Sequence, residues 1–281
     1  MIAQCATEVA NVRAIEMQRG GYPCRRPPTR PGHDEMAQSI AALILCGGRG
    51  TRAYPHTMDV PKPLLEVAGR PIVHHVMEIY AAQGFTNFVL AAGYRWEMVR
   101  DYSASFPREW NVEVIDTGEE TDKGDRVLAC RDRIGSRFFV TYSDGVGNVD
   151  LRELLRFQED HAGVATLSVV PLPSQYGTLD MDASGRVNAF VEKPRLYDHW
   201  INAGFFVFDE DVFEHWAGPD LEGDVFPALS KEGLLFAFRH DGFWKSMDTY
   251  KESLDLDAIA REAEAEHGTP PWLTSARSAS S

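Results

Sequence analysis

A glycine-rich turn followed closely by cations is the segment of this chain best suited to chemistry. It reads Gly47-Gly48-Arg49-Gly50-Thr51-Arg52 and directly follows an apolar run, Ala41–Cys46. Three glycines in four positions let backbone N–H groups turn toward an anion at close range. Arg52 adds a planar, permanently charged donor suited to a bidentate phosphate contact. Lys62 stands ten residues beyond Arg52, between Pro61 and Pro63, and those prolines predict an extended backbone there. The spacing is neither G-x-G-x-x-G nor the P-loop pattern with its Gly-Lys-Ser/Thr ending, which disfavours a dinucleotide fold and a P-loop kinase. The bland alternative is a glycine turn with two surface cations.

Two aspartates could supply a metal site. Asp144 follows the buried-looking run Phe138-Phe139-Val140-Thr141-Tyr142, and Asp248 sits between an aromatic cluster and the last amphipathic segment. Mg²⁺ takes oxygen ligands, typically one or two carboxylates plus substrate phosphates, so two aspartates from distant parts of the chain fit its demand. Taken singly, Asp144 also reads as a turn residue and Asp248 as a helix cap. Asp180-Met181-Asp182 invites a glycosyltransferase-like DxD reading but runs straight into a Ser-Gly turn, which argues against a metal role. Glu192 and Lys193, in Val191-Glu192-Lys193-Pro194, place opposite charges side by side. On a strand they would point to opposite faces unless the backbone turns, and an exposed ion pair is their plain reading.

These residues need a frame. From Ala41 onward, short apolar runs alternate with amphipathic segments. Residues 71–83 predict a helix, with Pro71 in its first turn, Gly84 as its stop, and Ile72, Val73, Val76, Met77 and Tyr80 on one face. Strands are predicted over 88–91, 112–115 and 138–142, helices over 96–102 and through Leu151, Leu154 and Leu155. This β-α-β-α order implies an α/β fold: a Rossmann-like, mostly parallel sheet flanked by helices, with ligands at the carboxyl ends of the strands. From about residue 165 the strands lie closer together, with a turn at 182–185, and predict antiparallel additions. A final acidic helix is expected over 249–266, ended by Pro270 and Pro271. The domain division is therefore a flexible tail over 1–39, one domain over 40–268, and a tail over 269–281.

The loop Gly47 to Arg52, with Tyr54-Pro55-His56-Thr57 and Lys62-Pro63-Leu64-Leu65, resembles the signature of sugar-1-phosphate nucleotidyltransferases. Tyr142-Ser143-Asp144-Gly145 and Met247-Asp248-Thr249 resemble the two metal-binding segments of that family. The resemblance covers about residues 41–262. It implies a nucleoside triphosphate wrapped by Gly47, Gly48, Gly50 and Thr51, with Arg52 and Lys62 on its phosphates and Mg²⁺ on Asp144 and Asp248. It implies that Glu192 binds sugar hydroxyls, that Lys193 neutralises the sugar phosphate, and that Tyr176, Gly177, Asn202, Gly204 and Trp244 belong to the sugar half.

Asp116-Thr117-Gly118-Glu119-Glu120, Gly124 with Arg126, Trp200-Ile201-Asn202 and His240-Asp241-Gly242-Phe243-Trp244 are similar to the glucose-1-phosphate cytidylyltransferase branch, and imply that Thr117 and Arg126 contact the base or ribose. There are departures from that branch. Asp125 replaces a glycine before the arginine, Ser143 replaces the first residue of a Gly-Asp-Gly loop, and an insertion expected before Trp110-Asn111-Val112 is short. Tyr54-Pro55-His56-Thr57 resembles thymidylyl- and guanylyltransferases instead. CTP and glucose 1-phosphate are the expected substrates, with GTP or dTTP and another sugar or cyclitol phosphate as alternatives.

Composition argues against a nucleic-acid partner. The 281 residues carry a formal net charge of −14, and the chain has no basic run of the kind that binds nucleic acid. Its one basic cluster, Arg25, Arg26 and Arg30, lies in a Pro-rich stretch. The four cysteines, Cys5, Cys24, Cys46 and Cys130, show no metal spacing and read as free thiols. No run is long and apolar enough for a membrane span, and residues 1–40 lack a signal-peptide core. The expectation is a cytoplasmic homo-oligomer with no nucleic-acid or membrane partner. A non-catalytic sugar-nucleotide-binding subunit and a glycosyltransferase are the rivals. The first should lack the aspartates or loop cations, and the second leaves Lys62 unexplained.

Overall fold

The structure, a computed structural model, describes residues 40–274. The expected tail over 1–39, with Cys5, Cys24 and the arginine cluster, lies outside the described residues. Strands are β1 Ala41–Cys46, β2 Glu66–Val67, β3 Arg70–Pro71, β4 Asn87–Ala92, β5 Asn111–Asp116, β6 Arg137–Tyr142, β7 Gly145–Gly147, β8 Ala165–Pro173, β9 Thr178–Met181, β10 Val187–Val191, β11 Arg195–Asp209, β12 Leu235–Arg239 and β13 Trp244–Ser246. Helices are α1 Ile72–Ala81, α2 Trp96–Ser103, α3 Lys123–Ala129, α4 Arg131–Ile134, α5 Leu151–Glu159, α6 Phe226–Glu232 and α7 Tyr250–His267.

Seven strands form the central sheet in the order β12-β8-β11-β6-β1-β4-β5. Neighbours pair in parallel except at β11, which runs against both β6 and β8. The sheet is thus the mostly parallel one expected, and the antiparallel additions are β11 and the hairpin β9–β10 around the turn at 182–185. β1 is buried along its whole length, as a strand covered on both faces must be. Its alternation divides the core: Ala42, Ile44 and Cys46 join the cluster under α1, α5 and α7, whereas Ala41, Leu43 and Leu45 join that under α3, α4 and α6.

Local chemistry sets the element ends. Gly84 adopts φ +92° just past α1, a conformation that L side chains rarely take. The Asp150 carboxylate accepts from Glu153 N and caps α5. Thr249, with Glu252, makes the capping box of α7; the cap is Thr249 and not Asp248, which leaves the Asp248 carboxylate available elsewhere. Beyond α7 the chain stays packed past the expected boundary at 268: Pro271–Leu273 forms a 3₁₀ turn and Trp272 is 1% exposed in the core. Asp182 spends one carboxylate oxygen on Ser184 and Arg186 of its own turn. Cys46 and Cys130 are free and buried, and burial pushes the Cys46 thiol up to about 12.

Candidate active site

β4 runs on one side of β1 and β6 on the other, so the loops leaving β1 and β6 diverge and open a crevice at their carboxyl ends, where such sheets bind ligands. A cavity of about 640 Å³ lies there. Gly47, Gly48, Gly50, Thr51, Arg52, Lys62, Arg126, Asp144, Asn202, Trp244 and Asp248 all line it.

Backbone pairing brings the two aspartates together across the sequence. β7 and β13 pair antiparallel, with Ser246 opposite Gly145, and Met247 N donates to Asp144 O at 2.8 Å. Lys62 reaches between them. Its backbone is not extended as expected: Pro61 is extended, and Lys62 opens a 3₁₀ turn in which Leu64 N donates to Pro61 O. From there Nζ, on a residue only 8% exposed, lies 2.6 Å from Asp144 Oδ2 and 3.1 Å from Asp248 Oδ1. The exposed Arg52 guanidinium lies 2.8 Å from the same Asp248 oxygen. Two carboxylates therefore converge on one cationic centre. Their hard oxygen donors fit Mg²⁺. The described residues hold no cluster of three or more His, Cys, Asp or Glu suited to a metal, so the remaining ligands would be water and phosphate oxygens, the usual Mg²⁺ arrangement.

The glycines of the loop have separate reasons. A Cβ on Gly47 would meet Arg126 Cζ at 1.9 Å, whereas one on Gly48 would meet nothing within 4 Å. Gly50 takes φ +63° and stands against the Lys62 side chain, whose Cβ a Gly50 Cβ would approach to 2.8 Å. Arg126 is buried, and its guanidinium donates to Ala92 O, Thr117 Oγ1, Gly118 O, Gly47 O and Glu119 O. It ties the glycine loop to the segment after β5. Burial pulls its pKa below the usual arginine value, with nearby acidic groups opposing that shift. The Thr117 hydroxyl donates to Ala92 O at 2.7 Å, and Thr117 does not line the cavity. Both side chains expected on the base or ribose spend their hydrogen bonds on the protein.

The sugar-half residues divide. Asn202 and Trp244 line the cavity, and Trp244 Nε1 donates to Ala203 O at 2.7 Å. Gly204, at φ +82°, packs against the Tyr142 ring, where a Cβ would come within 2.8 Å. Tyr176, Gly177, Glu192 and Lys193 do not line the cavity; they flank the exposed hairpin β9–β10. Glu192 and Lys193 form an ion pair at 3.9 Å with both side chains 63% exposed, and the backbone turns at Lys193, φ +47°. Lys123, the Tyr142 side chain and Glu222 also line the cavity and are not among the expected site residues. Glu222 sits in an acidic turn with no motif around it, so no sequence signal pointed to it.

A mostly parallel sheet with a crevice at the switch point, a glycine loop, and two cations on a carboxylate pair together fit a nucleotidyltransferase. The family model described as nucleotidyl transferase matches residues 41–251, and the chain belongs to the sugar-1-phosphate nucleotidyltransferase family. It is 32% identical over 261 residues to a glucose-1-phosphate cytidylyltransferase of Salmonella typhi, covering 84% of this chain and 99% of that protein. It is also 32% identical over 251 residues to mannose-1-phosphate guanylyltransferase 1 of Arabidopsis thaliana, covering 83% and 70%. Among solved structures, HddC from Yersinia pseudotuberculosis complexed with GMP-PN superimposes with a TM-score of 0.62 at 24% identity, covering 78% of this chain and 98% of that one. No helix among the described residues is long and apolar enough to cross a membrane.

Proposed function

We propose that this chain transfers a nucleotidyl group from a nucleoside triphosphate to a sugar 1-phosphate, giving a nucleotide sugar and pyrophosphate. One observation carries the reading: Arg52, Lys62, Asp144 and Asp248 form a single network in a cavity walled by the glycine loop. An oxygen of the sugar phosphate attacks the α-phosphorus, the new P–O bond forms as the bond to the β-phosphate oxygen breaks, and pyrophosphate leaves with the electron pair. The nucleophile is already an anion, so the step needs no general base.

The work of the protein is to hold two polyanions in line. Two like charges about 4 Å apart repel by roughly 4 kcal/mol at an effective dielectric near 20. Arg52 and Lys62 offset that repulsion, and loss of either should cost on the order of 3 kcal/mol, about a hundredfold in rate. Mg²⁺ on Asp144 and Asp248, when bound, supplies further neutralisation of the triphosphate. Glu192 and Lys193 stand outside the cavity and would serve the sugar phosphate only from another hairpin position.

CTP and glucose 1-phosphate are our preferred substrates, supported by the likeness to the Salmonella typhi cytidylyltransferase. GTP is the second reading, supported by the likeness to the plant guanylyltransferase. The test is pyrophosphate release over a grid of four nucleoside triphosphates and several sugar 1-phosphates. CTP with glucose 1-phosphate should give the highest kcat/KM. A higher value for GTP with mannose 1-phosphate would replace the substrate assignment, and silence across the grid would favour a non-catalytic binding subunit.

A further inference from the structure

Glu222 is a carboxylate in the cavity wall with no part in phosphate neutralisation. Its Oε1 accepts from Tyr142 Oη and from Lys123 Nζ, each at 2.5 Å. Asn202 Nδ2 donates to the same Tyr142 oxygen at 3.3 Å, and Lys123 Nζ lies 5.2 Å from the centre of the Tyr142 ring. All four residues line the cavity, and both of these hydrogen bonds to Glu222 fall on Oε1.

Backbone contacts bring the segments carrying Lys123 and Glu222 together, which leaves their side-chain pair to orient the Glu222 carboxylate. Gly124 N and Asp125 N, in the first turn of α3, donate to Pro219 O at 2.7 and 3.2 Å. The approach is close enough that a Cβ on Gly124 would lie 2.5 Å from that oxygen. One residue on, Asp220 Oδ1 accepts from Glu222 N and Gly223 N at the start of the π-helical turn Leu221–Val225; such turns are frequent at functional sites. Lys123 and Glu222 are both partly exposed, at 44% and 37% of their side chains, and a pair of that kind adds about 0–1 kcal/mol to stability. Fold stability is a weak reason for a carboxylate to share this wall with a phenol, an amide and an ammonium.

The placement indicates what it reads. Charge divides the cavity: Arg52 and Lys62 with the aspartates hold one part, and the Glu222 cluster, net neutral with its ammonium, holds another. An unpaired phosphate gains nothing at the second part, because the carboxylate repels it. Hydroxyl groups, which both donate and accept, suit a carboxylate oxygen beside an ammonium, an amide and a phenol. The Tyr142 ring leans toward β11, packed on Gly204, and Asn202 belongs to β11. Tyr142 and Asn202 thus face β11, whereas Lys123 reaches the cluster from α3, whose Arg126 holds the glycine loop.

We propose that Glu222, positioned by Lys123 and Tyr142, is a specificity-determining residue that hydrogen-bonds ring hydroxyls of the sugar 1-phosphate. This rests on the transferase reading above. The experiment measures pyrophosphate release by the wild-type chain, Glu222→Gln and Lys123→Met, first with glucose 1-phosphate and its monodeoxy analogues, then with the best sugar 1-phosphate of the grid. Glu222→Gln should raise KM for the sugar phosphate at least tenfold while KM for the triphosphate stays within twofold. It should also shrink, at least fivefold, the wild-type penalty for removing one particular hydroxyl. Lys123→Met should move the same KM in the same direction, and serves alone if Glu222→Gln does not fold. A rise in KM for the triphosphate instead would assign the cluster to the nucleotide and overturn the proposal. A fall in kcat and thermal stability with both KM values unchanged would make it structural and overturn it as well. Silence of the wild-type chain would instead remove the transferase reading itself.

Discussion

Lys62→Met probes the charge arrangement at the centre of the site. The ammonium it removes lies 2.6 Å from one carboxylate and 3.1 Å from the other, on a residue 8% exposed. Methionine keeps most of the stem's volume, so the perturbation is chiefly electrostatic. Two carboxylates left facing each other about 5 Å apart repel by roughly 3 kcal/mol at an effective dielectric near 20. The Asp144 and Asp248 side chains retain 24% and 27% exposure, and Arg52 stays on Asp248, so solvent and the guanidinium reduce the net loss to about 2 kcal/mol. For a domain of this size that corresponds to a fall in Tm of about 4–8 °C. A divalent cation should restore most of it, because the vacated centre is a pair of hard oxygen donors. The assay is thermal unfolding of wild type and variant with and without millimolar Mg²⁺. A variant with wild-type Tm, or one whose Tm ignores Mg²⁺, would refute the reasoning.

Three further outcomes follow from the same geometry. Gly47→Ala should destabilise the fold by about 2 kcal/mol or more, since its Cβ would enter the Arg126 guanidinium; Gly48→Ala, with open space around it, should unfold in urea at the wild-type midpoint. Arg126→Ala should lower the urea midpoint by an amount equivalent to about 3 kcal/mol, because five oxygens lose a buried charged donor; an unchanged midpoint would deny its tying role. Burial lowers the pKa of His75 and His240. The unfolded chain thus binds more protons than the native one below about pH 6.5, and stability should be flat above that pH and fall below it, by up to about 1.4 kcal/mol per pH unit for each histidine. Urea midpoints at pH 7.5 and 5.5 check this, and His240→Gln should reduce the difference.

Most of the frame was legible because its signals are local. The all-buried run at Ala41–Cys46, the Gly84 stop and the change of strand spacing near 165 each follow from short-range pattern. The aspartate pair was legible only through resemblance: what joins Asp144 to Asp248 is the pairing of β7 with β13, a contact across a hundred residues that no periodicity reports. Proline logic misjudged Lys62, whose tertiary contacts hold it in a 3₁₀ turn. Capping logic could not choose between Asp248 and Thr249, because adjacent oxygens compete for one role and only the backbone geometry decides. The hydrogen bonding of Arg126 was not legible, because a buried arginine satisfied by carbonyls leaves no mark in sequence. Glu222 was invisible for the same kind of reason: its partners, Lys123 and Tyr142, come from distant segments.

The proposed transfer depends on one pocket that joins two phosphorylated molecules through Asp144 and Asp248. The most direct measurement is pyrophosphate release by wild type, Asp144→Asn and Asp248→Asn, with triphosphate, sugar phosphate and Mg²⁺ each omitted in turn. Release by wild type that requires all three, with at least a hundredfold loss in both variants at unchanged Tm, is the predicted result. Release at wild-type rates in either variant, or without the sugar phosphate, would contradict it.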